Sequence, residues 1–129
     1  MLPTLKKRRD FLRAARAGVK SATPGLVLQV RPNGEAEATE GGIRVGFTVS
    51  RKVGNAVARN RARRRLRAVA ECVLGRSARR GRDYVLIGRR GTLVRPFEAL
   101  VEDLEEAVAR TDAVLADGRA GGGGRARRD

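Results

Sequence analysis

The stretch from Lys52 to Ala68, KVGNAVARNRARRRLRA, holds seven positive side chains and no negative one, yet is built largely from helix formers. Placed at 100° intervals, Ala58, Ala62, Leu66, Val69 and Val73 fall within an arc of about 80°, a stripe to be buried. Asn60, Arg61, Arg63, Arg64 and Arg67 take the opposite and flanking sides. Arg59 and Arg65 border the stripe, where their stems can pack and their heads reach outward. Within the segment no acid stands three or four residues away to neutralise the arginines, and Glu71, four residues past Arg67, is the first. Like charges at that spacing repel. Any fold of this chain must therefore bury one side of a long helix and leave a one-signed face open.

The rest of the chain supplies a sheet for that helix. RRDFLRAARA (8–17) is expected to be a short helix with Phe11, Leu12 and Ala15 inward and Gly18 closing it. After the Thr23-Pro24-Gly25 turn, LVLQVR alternates as a half-buried strand. Residues 32–42 read as a solvated loop. In IRVGFTVS, Ile43, Val45, Phe47 and Val49 take one face and Arg44, Gly46, Thr48 and Ser50 the other. The arginine helix follows and fades near Leu74-Gly75; a basic loop (76–82) leads to the strand YVLIGR. Pro96 precedes a last helix with Phe97, Val101, Leu104 and Val108 at spacings of four, three and four. This order predicts a small two-layer α/β sandwich, helices over one mostly antiparallel sheet. Residues 1–116 are expected to form a single RNA-binding domain. Residues 117–129, rich in Gly and Arg without apolar partners, are expected to be disordered.

Charge narrows the function. The 129 residues carry a formal net charge of +15, which strains a compact state unless a polyanion offsets it. Phosphate is the best match for a cationic helix face on a rigid sheet, because such a face can meet a structured backbone at several points. Gly54 and Asn55 lie at the strand-to-helix turn, where backbone N–H groups could also hold a phosphate, with Arg51 and Lys52 beside them. An anionic membrane fits less well, since the apolar side is committed to the core and lacks interfacial aromatics. No signal peptide and no long apolar run appear, which points to the cytoplasm. The lone Cys72 excludes an internal disulfide and is expected on the core side of its helix.

Catalytic groups are scarce. There is no His, Tyr84 is the sole tyrosine, and the acids cluster at 35–40 and on the last helix. Asp10 and Asp83 are isolated in the sequence, and no carboxylate pair is spaced for a two-metal nuclease. No catalytic and no metal-ligating residue is assigned. A ribonucleoprotein subunit, an RNA chaperone or ribosome-associated protein, and a protein-only nuclease are the competing classes, and the last has the fewest residues to support it.

The run GFTVSRKVGNAVARNRARRRLR (46–67), with Arg59-Asn60-Arg61 at its core, resembles the RNR motif of the bacterial ribonuclease P protein family. RRDFLRAARAG before it and RDYVLIGR after it extend the likeness over roughly residues 4–110. The resemblance implies a four-stranded sheet in α-β-β-β-α-β-α order, with a short strand near Val19–Ala22 and a left-handed βαβ crossover. Strict topology rules favour the opposite hand. It also implies a ribonucleoprotein that cleaves the 5′ leader from precursor tRNA, with chemistry on an RNA subunit and Mg²⁺ held mainly by that RNA and the substrate. The expected partners are the catalytic RNA and precursor tRNA, with no membrane and no obligate protein partner. By the same likeness, Arg51, Lys52, Asn55, Arg59, Asn60, Arg61, Arg63, Arg64 and Arg67 face the catalytic RNA. Phe11, Gln29, Arg31, Arg44 and Thr48 fall in a cleft for the single-stranded leader, although plain core packing is an equal reading of Phe11. Two positions depart from the family pattern. Ala15 stands one turn after Phe11 where an aromatic is usual, and Gln29 replaces an aromatic on the strand, so charge from Arg31 and Arg44 is expected to carry more of the leader contact.

Overall fold

The computed structural model describes residues 2, 4–33, 42–79 and 81–117. Four strands form one sheet: β1 (Val19–Ala22), β2 (Leu26–Pro32), β3 (Ile43–Thr48) and β4 (Arg82–Gly88). Their spatial order is β1-β2-β4-β3, antiparallel except for the parallel β3–β4 pair. Helix α1 (Arg8–Ala17) precedes β1, α2 (Ala56–Ser77) joins β3 to β4, and α3 (Arg90–Val94) and α4 (Phe97–Ala116) follow. The short strand expected at Val19–Ala22 is present. α2 continues two residues past the predicted fade at Gly75, and α3 is an element that periodicity did not reveal, being too short to show a period.

Alternation in the strands sorts side chains onto two faces. Leu26, Leu28, Val30, Val45, Tyr84 and Leu86 point to one side, where they meet Ala62, Leu66, Val69 and Val73 of α2 and Leu100, Leu104 and Val108 of α4 in the main core. On the other face Val85 joins Leu5 and Ala14 in a second, small cluster, with Phe11 and Ile87 packed against it. α1 therefore crosses the face that α2 and α4 leave uncovered.

Two expectations fail here for reasons of helix orientation. α1 buries Asp10 and Ala14, while Leu12 and Ala15 are exposed and Phe11 is half-buried. The helix leans on the sheet along its Asp10–Ala14 edge, which turns the expected inward side toward a groove. Cys72 is exposed. The buried side of α2 drifts at its C-terminal half toward Ala70 and Leu74, which leaves Cys72 about 120° from the centre of the stripe. Residues 34–41 of the expected loop and 118–129 of the expected tail lie outside the described residues, and Asp117 caps α4. Among the described residues no helix is long and apolar enough to cross a membrane.

Candidate nucleic-acid interface

The arginine face begins at a tight turn. Ser50 accepts a hydrogen bond from the Lys52 amide and starts a single 3₁₀ turn, Arg51–Val53. Gly54 follows at φ 156°, where a Cβ would stand 2.8 Å from that of Ala58, so glycine is required by both conformation and space. Asn55 is the N-cap of α2, its Oδ1 accepting from the Ala58 amide at 2.9 Å. Its side chain is thus committed to starting the helix, with Arg51 and Lys52 exposed beside it.

Along α2 the arginines and the asparagine have different employment. Asn60, Arg61, Arg64 and Arg67 are exposed. Arg61 and Arg64 make no ion pair or side-chain hydrogen bond with any described residue. Arg63 donates to Asn60 Oδ1 at 3.1 Å, and Arg59 donates back to the Gly54 carbonyl at 3.0 Å. Arg65, expected to reach outward, instead donates from Nε to the Thr92 carbonyl at 2.7 Å and from Nη2 to the Arg95 carbonyl. It satisfies carbonyls at the end of α3 and ties that helix to α2. Arg67 lies over the Phe47 ring, 5.2 Å from its centroid. Acids are sorted elsewhere: on or beside α4, Asp103 pairs with Arg95, Glu105 with Arg76, Glu106 with Arg110, and Asp112 with Arg79 and Arg82.

The opposite sheet face carries the second candidate surface. Strand register sets three cross-strand rows there: Val27, Ile87 and Thr48; Gln29, Val85 and Gly46; and Arg31, Asp83 and Arg44. Ile87 and Thr48 of the first row and Gln29 and Val85 of the second floor a groove of about 490 Å³ whose wall is α1, lined by Phe11, Leu12 and Ala15. Phe11 lies against Gly46, where a Cβ would come within 2.6 Å of the ring. Gln29 is buried in the floor and Thr48 is exposed at the rim. Phe47 also lines the groove, although alternation assigns it to the core side. β3 is an edge strand, so the ring can wrap the sheet edge and meet both Arg67 and the groove. Sequence reasoning missed this aromatic because only the strand order puts β3 at the edge.

Arg31 and Arg44 are placed differently. Both share the groove's sheet face, but each lies directly across from Asp83. Arg44 grips it with two bonds of 2.9 Å, Arg31 with one of 3.0 Å, and Asn33 Nδ2 with one of 2.9 Å. Burial pushes the Asp83 carboxyl up, but the bonds from Arg44, Asn33 and Arg31 outweigh it and hold the group below its usual value. Arg44 also reaches Asp10 of α1 at 3.4 Å. The two acids that stand alone in sequence thus converge on one arginine, and the clamp fixes α1 to β3.

No three of the described Asp, Glu or Cys residues gather as a metal ion requires. Near the two surfaces, Asp10 and Asp83 are held by arginines, so the described residues do not fit a Mg²⁺ ion. What the arrangement can do is bind: phosphates on a cationic helix, and bases of a single strand in an aromatic groove.

A small α/β domain with these two surfaces is an RNA-binding subunit. The Ribonuclease P family profile matches residues 3–112. The ribonuclease P protein component of Paramagnetospirillum magneticum is 51% identical over 88% of this chain and 85% of its own length. That of Ruegeria pomeroyi is 54% identical over 87% and 88%. The structure of the Staphylococcus aureus RNase P protein superposes with a TM-score of 0.67 at 27% identity, covering 84% of this chain and 94% of that one. The chain belongs to the ribonuclease P protein family.

Proposed function

We propose that this protein acts as the protein subunit of the ribonucleoprotein that removes the 5′ leader from precursor tRNA, with the α2 face on the catalytic RNA and the α1 groove on the single-stranded leader. The observation that carries the division is Phe47. Its ring lines the groove while the Arg67 guanidinium of the cationic face rests on it, so a single aromatic at the edge strand separates two surfaces of different chemistry. Arg61 and Arg64, uncommitted among the described residues, are the phosphate contacts; Arg51, Lys52, Arg63 and Arg67 flank them. Asn55 serves by starting the helix, and Asn60 by steadying Arg63. In the groove Phe11 and Phe47 stack bases, while Gln29 and Thr48 offer hydrogen bonds. Arg31 and Arg44 act through the clamp on Asp83 that holds the groove's end. Mg²⁺ is held by the RNA and substrate, in the cytoplasm where precursors are processed.

The test incubates precursor tRNA and Mg²⁺ with protein alone, with the cognate large RNA alone, and with both. Stimulated cleavage is expected only in the last mixture, and site-specific cleavage by RNA-free protein would sink the reading. In the assembled enzyme Phe11→Ala should cost about 1–3 kcal/mol of leader-dependent affinity, the range for one stacked base. Affinity for the catalytic RNA should stay unchanged.

A further inference from the structure

The segment before α1 builds a second hollow next to the groove. It runs beside β3, bridging Thr4 to Val45 in parallel, and the Leu5 amide donates to the Val45 carbonyl at 2.8 Å. Lys6 is thereby set at the sheet edge, where it lines the groove on one side and a hollow of about 420 Å³ on the other. Lys7, Arg9, Arg13 and Arg44 add to the hollow's cations, against one carboxylate among the described residues, Asp10. That carboxylate is met by Arg44 at 3.4 Å and Arg13 at 3.9 Å, so the lining is strongly positive. Lys6, Lys7 and Arg9 are exposed and bond no described residue through their side chains. No aromatic lines the hollow, unlike the groove with Phe11 and Phe47. Its chemistry suits sugar-phosphate rather than bases.

The two hollows are also ordered along β3. Thr48, at the end that leads into the arginine turn, lines the groove; Arg44 lines the hollow, four residues or about 13 Å back along the strand. A single strand that enters the groove beside α2 reaches the cationic hollow last.

We propose that this hollow is a second subsite for the precursor's leader, holding backbone phosphates of nucleotides beyond those in the Phe11–Phe47 groove. The assignment rests on the groove being the leader site. It makes the protein sensitive to leader length in a way that is indifferent to leader sequence, since phosphates carry no base identity.

The experiment uses the reconstituted holoenzyme and a series of precursors with no leader and with leaders of increasing length. Affinity should rise in two steps, the second with the steeper salt dependence. Lys7→Ala with Arg9→Ala should abolish only the second step, lowering long-leader affinity about tenfold. The log–log salt slope should fall by about 0.7 for each phosphate that is no longer neutralised. Lys7→Arg with Arg9→Lys should retain both steps. Neither side chain packs in the core, so circular dichroism and the urea midpoint should not move. An equal loss at every leader length, including none, would mean a general electrostatic effect and overturn the subsite; so would no loss at any length. Phe11→Ala reports on the groove separately. Should it spare the first step while the double substitution still removes the second, the groove assignment fails and the hollow remains a leader site.

Discussion

Asp83 has Arg31 on one neighbouring strand and Arg44 on the other, with Asn33 completing its bonds. Removing this buried carboxylate takes away the acid that two largely desolvated guanidinium groups share. Asp83→Ala should therefore destabilise the protein by about 3–5 kcal/mol in urea unfolding. The pH dependence follows from the lowered pKa of Asp83. Its stabilising contribution is complete above the unfolded-state value near 3.8 and fades as pH falls below that through the lower folded value. Acid titration of the urea midpoint should show this loss in the wild type and not in the variant. Gly46 makes the opposite kind of demand, since it matters for the space above it. Gly46→Ala places a methyl group against the Phe11 ring and must push that ring toward the groove. Leader-dependent affinity should fall in precursor binding, while affinity for the catalytic RNA stays at the wild-type level.

At the scale of an element, α2 carries two populations of arginine that look alike in sequence. Arg61 and Arg64 are exposed and bond no described residue through their side chains, whereas Arg65 holds backbone carbonyls of Thr92 and Arg95. Arg61→Ala with Arg64→Ala should lower the log–log salt slope of RNA binding by about 0.7–0.9 per residue and leave the urea midpoint nearly unchanged. Arg65→Ala should do the reverse, costing about 1–3 kcal/mol of stability because it removes charge-assisted bonds to backbone carbonyls. A salt slope that moved equally for both variants would show that the distinction is wrong. The register of the helix is set by its start: Gly54 and the Asn55 cap determine which residues face outward.

Across the whole molecule, charge is segregated. α2 carries Arg61 and Arg64, which meet no acid among the described residues, and α4 carries exposed Glu98 and Glu102 together with its paired acids. The acidic helix disfavours polyanions on its own side of the molecule, which helps to orient docking. Glu98→Lys with Glu102→Lys should open a second cationic face. Binding to unrelated RNA should tighten with a steeper salt slope, and the preference for the cognate RNA should narrow in competition binding.

Much of this was legible from local chemistry. Hydrophobic period and charge sign are properties of neighbours on one helix or strand, so the arginine face, the strand faces and the capping turn could be read from order alone. The RNR core and its flanks fixed the family in the same way. Three-dimensional pairing decided the rest. Register set Arg31 and Arg44 across from Asp83 and drew both into a clamp on it. Strand order put Phe47 at an edge where its ring reaches the groove, and the lean of α1 turned Leu12 and Ala15 away from the core. The fate of Arg65 depended on α3, a helix too short to announce itself. Such outcomes are set by contacts between residues far apart in the chain, and composition and spacing carry no record of them.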